Sequence, residues 1–379
     1  MGKKAVNPST KRILFLIPSA DVIPSGKVRV LNYLPYLRDH SMIPTVLSHN
    51  LPFVLKFERE RPTGSFPLIV LRICRKLLRL TNILYRKWIE VWILLFVSGY
   101  DVLLIQWEPV SRYVVQRILK RNPNLIYDYD DPVFLMSKEN VDFLISNSKT
   151  VIAGSPQLRD YSKSLNEHVV IIPSSIPIEK YDAVRNEDRS HHDSGPVIGW
   201  IGSQSTSNHI ELLIDVFEAL GKEYEMCLKI IGLGGTKCPI PESAFLRIRT
   251  VDYYNESEMI RHALSLDVGV VPFKETEASR WKTSLKALVY MAAAVPVVCS
   301  PIGGNLEVVE DGRNGFFAST TQKWIEKLEL LIQDKSLRER MGKNGLNLVR
   351  ERYTTQVCFK SLRRVLESAC HGEPEPIIR

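Results

Sequence analysis

PVIGWIGSQSTSNHIELLIDVFEALGKEYEMCLKIIGLGG, residues 196–235, decides the fold. PVIGWIGS is a short apolar run stopped by Gly-Ser, HIELLIDVFEALGKEY reads as a helix, and MCLKIIGLGG is a second apolar run ending in glycines. Short apolar runs bounded by glycine and alternating with helices of about 10–15 residues indicate parallel βαβ units. The rhythm continues C-terminally through RIRTVDY, SEMIRHALSLD, VGVVPF, KTSLKALVYMAA and VPVVCS, with another helix starting near Gly304.

Toward the N-terminus the same alternation holds. KRILFLIPS (11–19), YDVLLIQWE, NLIYDYDD, KTVIAGS and HVVIIPSSI read as strands. VRVLNYLPYLRDH, SRYVVQRILKRN, VDFLISNSK and PQLRDYSKSLN read as helices. The polar, mixed-charge stretch EKYDAVRNEDRSHHDSGP separates the two halves. The expectation is α/β, two Rossmann-like doubly wound domains facing a central cleft. The first covers residues 1–182 and the second 183–355, with a closing helix in 356–379 that packs back on the first. In such sheets ligands sit beyond the carboxyl ends of the strands.

A chain of 379 residues with 45% apolar and 24% charged residues is long enough for two cores. The formal charge of +8 favours an anionic partner. A nucleic-acid reading rests on that charge alone, because no recognition motif or aromatic-basic platform accompanies it. The six cysteines are scattered without a C-x-x-C pair, the expectation for reduced thiols in the cytoplasm. In PLIVLRICRKLLRLTNILYRKWIEVWILLFVSGY the longest charge-free run, Val91 to Tyr100, is about half of the roughly 20 residues a spanning helix needs. Arg72, Arg75, Lys76, Arg79 and Arg86 recur there at helical spacing among Leu, Ile and Trp. That pattern fits a helix on an anionic membrane surface, and equally a solvated basic face.

Three strand-to-helix loops of the second half carry glycine. The first, with Gly202, Ser203 and Ser205, offers amides at a helix start to an anion; a serine-capped turn is the plain alternative. Gly232 in IGLGG and Gly303-Gly304-Asn305 in SPIGGN close two further strands. Lys282 and Lys286, four apart with Arg280 just upstream, share a helical face. Like charges at that spacing cost a few tenths of a kcal/mol unless an anion offsets them. A diphosphate would, and charge-assisted bonds to it would stabilise a leaving group. Glu307 either bonds a ligand hydroxyl or caps the helix backbone. In the first half Asp128, Asp130 and Asp131 end a strand, and Glu108 ends the preceding one. Aspartates there can bond acceptor hydroxyls, orient a base, cap a turn or, as a D-x-D, hold a divalent metal. Glu108 is placed to assist an incoming hydroxyl.

Taken in order, VIAGSPQLRDYSKSLNEHVVIIPSSIPIEKY, IGWIGSQST, DVGVVPF, KALVYMAAAVPVVCSPIGGNLEVVEDGRNGFF and LIQDKSLRERMGKNGLNLVRERY resemble the family 4 glycosyltransferases of GT-B architecture. The resemblance covers roughly residues 150–355. It implies a retaining transferase without a metal or other cofactor. A UDP- or GDP-sugar would be held by the second domain and a hydroxyl acceptor, lipid-linked ones included, by the first. The product would be a polysaccharide or glycolipid made at the inner face of the membrane. The family's diphosphate-binding Arg and Lys align with Ser203 and Asn208, so the donor-binding set expected here is Gly202, Ser203, Ser205, Gly232, Arg280, Lys282, Lys286, Gly303, Gly304, Asn305 and Glu307, with Lys282 and Lys286 taking over the phosphate role. Asp128 would bind the acceptor, and Glu108, Asp130 and Asp131 would serve catalysis. The paired glutamates of the family's Glu-x7-Glu motif align with Trp281 and Val289, so a binding subunit without catalytic power is the competing expectation.

Overall fold

The computed structural model describes residues 10–19, 24–51, 68–107, 110–185, 195–252 and 255–371. Contacts divide the chain into two compact units, one of residues 1–174 with 356–379 and one of 175–355.

The first unit is a six-stranded sheet of order β2-β1-β3-β4-β5-β6. In chain order these are β1 (Lys11–Ile17), β2 (Met42–Ser48), β3 (Val102–Gln106), β4 (Leu125–Tyr129), β5 (Thr150–Ala153) and β6 (Val169–Ile171). Neighbouring strands pair in parallel throughout. β1, β3 and β4 are buried along almost their whole length, as strands covered on both faces must be. The periodicity of the first half left β2 unread. Its sequence MIPTVLS carries Pro44, which lacks a ladder donor and is tolerated here because β2 is the sheet's edge. The expected helix over 28–40 is broken into Pro24–Arg29, a 3₁₀ turn and Leu34–Asp39, the last restarting with Pro35 in its first turn.

The closing helix, Thr355–Cys370, belongs to the first unit. It buries Cys358, Phe359, Leu362, Val365, Leu366 and Ala369 against Ile13, Phe15, Val30, Tyr33 and Leu37. The contact boundary falls between 174 and 175, ahead of the cut at 182, because helix Ile178–Arg185 buries Tyr181 in the second unit's core.

The second unit holds β7 (Val197–Ile201), β8 (Cys227–Ile231), β9 (Arg247–Val251), β10 (Val268–Val271), β11 (Val297–Cys299) and β12 (Gly315–Phe317). Their order is β12-β11-β10-β7-β8-β9, again parallel. Chain order reverses at β10/β7, the switch point where such sheets open at their carboxyl ends. β7 and β10 pair only through Ile198 and Gly199, then splay. Tyr290, fully buried on helix Leu285–Ala292, fills the gap: its hydroxyl accepts from the Ile201 amide at 2.7 Å and reaches the Val270 carbonyl at 3.5 Å. A Cβ on Gly269 would lie 2.4 Å from that ring, so β10 needs glycine there.

Candidate active site

Beyond the splayed ends of β7 and β10, three lysines surround one imidazole. His209 sits on the 3₁₀ stretch Gln204–Leu213 that follows the Gly202 loop. Its Nδ1 accepts from the Lys274 amide at 3.0 Å, which places the ring proton on Nε2, and its ring meets Phe273 edge-on at 5.3 Å. Burial, then the charges of Lys286, Lys274 and Lys282, lower its pKa to about 4, so the ring is neutral. Lys274 is offset by Glu211 at 2.7 Å.

Lys286 meets no carboxylate among the described residues. Its Nζ donates to Thr206 Oγ1 at 3.1 Å and lies 4.7 Å from the Trp200 ring centroid. Burial and the neighbouring Lys282 push its pKa down to about 7. A positive charge held by an indole face and one hydroxyl is under-compensated, and an incoming anion would restore the balance. The adjoining turn is suited to one. Ser203 Oγ and Ser205 Oγ lie exposed 2.9 Å apart, and the amides of Gln204 and Ser205 make no hydrogen bond among the described residues. The Ser203 amide is taken by Thr206 Oγ1 and the Gly202 amide by the Ile231 carbonyl.

The other two glycine loops are occupied internally. The amide of Gly232 bonds the Val251 carbonyl, and the amides of Gly234 and Gly235 grip the Asp252 carboxylate at 2.7 and 2.9 Å. Gly303 and Gly304 are buried. The Gly304 amide donates to the Lys282 carbonyl at 2.8 Å. A Cβ on Gly303 would stand 2.7 Å from the Ser279 carbonyl oxygen, and one on Gly304 2.8 Å from the Ser284 amide nitrogen. The diglycine therefore presses the 279–284 backbone into place and so positions Lys282 and Lys286. Asn305 is likewise buried, its Nδ2 donating to the Ser300 carbonyl at 3.0 Å. Arg280 extends into solvent and pairs with Glu275 at 2.8 Å. Glu307 is exposed, and its amide donates to the Gly304 carbonyl.

In the first unit the aspartates are structural to different degrees. Asp128, expected to bind the acceptor, is 2% exposed and locked against Arg29, whose Nε donates to both carboxylate oxygens at 3.0 and 2.8 Å. Arg29 Nη1 continues to the Ile172 carbonyl at 2.9 Å. Burial opposes the guanidinium's charge, but the Asp128 carboxylate outweighs it and holds the Arg29 pKa above its ordinary value. Both groups are buried, so neither is open to substrate. Asp130, expected to be catalytic, is 5% exposed; its Oδ1 accepts from Ser25 Oγ at 2.6 Å and Trp107 Nε1 at 2.9 Å. Trp107 is held at φ 61°, a left-handed conformation costly for a bulky residue. Asp130 thus braces a strained turn at the end of β3. Asp131 is partly exposed beside it. Glu108 lies outside the described residues. Among the described residues no group of three His, Cys, Asp or Glu side chains converges to hold a metal, and no helix is long and apolar enough to cross a membrane.

Lys274, Thr206 and Trp200 were not legible as site residues, and His209 read as a helix-start residue. The signal available was that residues 200–209 and 273–286 flank the two strands on either side of the order reversal.

The fold these two sheets define is that of the GT-B glycosyltransferases. The chain is similar to Anabaena Alr3699/HepE solved with UDP and glucose, at TM-score 0.64 and 16% identity, covering 94% of this chain and 100% of that one. It is similar also to sucrose-phosphate synthase from Thermosynechococcus elongatus, at TM-score 0.65 and 16% identity, covering 95% and 100%. Residues 195–334, within the second unit, match the sequence profile of the family described as "Glycosyl transferases group 1". A curated relative, the capsular polysaccharide biosynthesis glycosyltransferase CapM of Staphylococcus aureus, is 28% identical over 200 residues, 50% of this chain and 51% of that protein. The alpha-D-kanosaminyltransferase of Streptomyces kanamyceticus is 26% identical over 183 residues, 46% of each chain. The chain thus spans about half the length of these curated relatives.

Proposed function

We propose that the protein is a retaining glycosyltransferase of the family 4 type, moving a sugar from a nucleoside-diphosphate sugar, UDP- or GDP-linked, to a hydroxyl acceptor. The observation that carries this reading is the under-compensated Lys286, with Lys282 beside it and the Ser203–Thr206 turn before it, at the switch point of the second sheet. The diphosphate binds there. As the bond from the sugar's anomeric carbon to the diphosphate breaks, both electrons leave on oxygen, and the lysines and turn amides stabilise the growing charge. The acceptor oxygen forms the new bond and gives up its proton, with Glu108 and Asp131 as the groups proposed to assist. Asp130 holds Trp107, the residue that precedes Glu108 in the sequence.

The match of residues 195–334 and the names of the relatives support this class of reaction, and CapM's name supports a role in polysaccharide or glycolipid synthesis. HepE with UDP and glucose supports a UDP-linked donor. Six free cysteines and the basic, outwardly apolar helix Leu68–Phe96 support work at the cytoplasmic face of a membrane. One observation favours a binding subunit instead: Val289 is buried and Trp281 is apolar where the family's glutamates would stand.

Thermal-shift titration with UDP, GDP, ADP and their glucose conjugates tests the donor site, since a ligand bound by the folded state raises the melting point. The transferase reading expects a shift with at least one nucleotide and slow release of free sugar from its conjugate, and anomeric-proton NMR of a transfer product reads retention. A nucleotide shift with no sugar release under any condition selects the binding subunit; no shift at all sinks both.

A further inference from the structure

The first unit contains a cavity of about 520 Å³ that the donor chemistry leaves unused. It opens beyond the carboxyl ends of β1, β2 and β3, with helix Leu68–Phe96 as one wall, and its polar lining includes His49, Asn50, Arg86, Lys87 and Glu90. His49 is 6% exposed, and its Nε2 is buried without a partner among the described residues. That nitrogen is sealed behind the cavity wall, so His49 shapes the seat with its ring and offers no hydrogen bond to a ligand. Burial, with Arg86 and Lys87 close by, lowers the His49 pKa to about 3 and keeps the ring neutral.

Arg86 is the second element. Its Nε donates to Asn50 Oδ1 at 3.0 Å, its Nη2 donates to the same oxygen, and so does Asn82 Nδ2 at 3.1 Å, but no carboxylate meets Arg86 among the described residues. Lys87, by contrast, is paired with Glu90 at 2.7 Å. Among its described residues the lining therefore carries one excess positive charge, on a guanidinium whose Nη1 remains to donate to a phosphate.

The third element lies on the same helix. Leu77, Leu80, Leu84, Trp88, Val91 and Leu95 are each more than half exposed and recur every three or four residues, opposite the buried Ile89 and Ile93. Ile83 joins the two regions, lining the cavity while 55% exposed. An apolar stripe of this length on a soluble surface marks a binding face. A phosphate-sized polar seat opening onto a hydrocarbon-sized stripe fits an amphiphile.

We propose that the first unit binds an acceptor whose hydroxyl group is carried on a long-chain lipid phosphate, the phosphate seated against Arg86 and the hydrocarbon lying along the Leu84–Trp88–Val91 face. That this ligand is the acceptor rests on the glycosyl-transfer reading; the binding site itself does not. Lys87 adds a second donor at the rim, and the remaining cavity leaves room for a group carried on the phosphate.

Isothermal titration with farnesyl phosphate, farnesol and inorganic phosphate, each below its micellar concentration, tests this on the full chain. Farnesyl phosphate is expected to bind at least about tenfold tighter than either fragment. Arg86→Gln is expected to bring it level with farnesol, and the surface variant Leu84→Glu to weaken both farnesyl ligands. Should Arg86→Gln not fold, Lys87→Gln, at a well-exposed site, is expected to weaken farnesyl phosphate about threefold and leave farnesol unchanged. Equal binding of farnesyl phosphate and farnesol by the wild type overturns the phosphate seat, and so does wild-type affinity in Arg86→Gln or, where that variant does not fold, in Lys87→Gln. Inorganic phosphate binding as tightly as farnesyl phosphate overturns the apolar track. UDP-induced thermal shift reads the second unit separately: UDP binding without phosphate preference sinks this inference alone, and lipid-phosphate binding without any nucleotide shift sinks the transferase reading alone.

Discussion

The ammonium group of Lys286 rests 4.7 Å from the ring centroid of Trp200 and donates to Thr206 Oγ1, with no carboxylate to meet it among the described residues. A lysine so placed, titrating near 7, is charged or neutral according to what binds beside it.

Nucleoside diphosphate binding should therefore take up a proton. At pH 7.5–8 the empty site holds Lys286 largely neutral, and a bound diphosphate favours its charged form. Titration calorimetry of UDP in buffers of different ionisation enthalpy should show net proton uptake that vanishes in Lys286→Gln. That variant should also bind UDP at least about tenfold more weakly and lose on the order of 10²-fold in turnover. Unchanged proton linkage in the variant assigns the uptake elsewhere.

The same lysine sets a slope in stability against pH. An unfolded lysine titrates near its ordinary value of roughly 10.4. Between about 7 and 10 the unfolded chain thus binds the extra proton, so this group makes folding more favourable as pH rises through that window. Lys286→Met should flatten that rise and be more stable than wild type at pH 6.5, read by urea denaturation at several pH values. A steeper rise in the variant would contradict the assignment.

Tyr290→Phe removes the partner of the Ile201 amide at the sheet's switch point. Leaving that buried donor unpaired costs roughly 1–3 kcal/mol. The melting point should drop accordingly and UDP affinity with it, because Ile201 leads directly into the Gly202 turn. Retained affinity at reduced stability would show that the turn is held by other contacts.

Asp128→Asn breaks the buried pair with Arg29 and should cost about 3–5 kcal/mol by denaturant titration. The double variant Arg29→Met/Asp128→Leu should recover part of that loss, since no charge is then stranded. An acceptor-binding role for Asp128 predicts the opposite pattern: normal stability with a raised KM.

Gly304→Ala places a methyl group 2.8 Å from the Ser284 amide nitrogen and 3.1 Å from the Lys282 carbonyl oxygen. Backbone must move to admit it, so UDP binding should weaken although no ligand contact has been removed. A crystal structure of the variant with the 279–284 segment undisturbed would refute this account.

Most strands were legible because runs such as KRILFLI, VLLIQ and VIGWI are buried on both faces and so nearly uniform in hydropathy. β2 was not, because an edge strand with Pro44 lacks that uniformity. Of the site, Lys282 and Lys286 were legible from spacing and from their place after β10. Glycine was legible as a residue but not in its purpose: Gly303 and Gly304 look the same in sequence whether they admit a phosphate or a neighbouring backbone. Asp128 and Asp130 misled for a similar reason. Their partners Arg29, Ser25 and Trp107 lie between 23 and 105 positions away, and separations of that kind are set by strand order.

The return of helix Thr355–Cys370 to the first unit has a consequence for how the protein is made. On the ribosome, residues 175–355 are a contiguous stretch that can condense once it clears the exit tunnel. The earlier-synthesised sheet must wait, with Ile13, Phe15 and Leu37 uncovered, until helix Thr355–Cys370 has been translated. Fragments that stop short of helix Thr355–Cys370 should accordingly be clients of chaperones far longer than their length suggests.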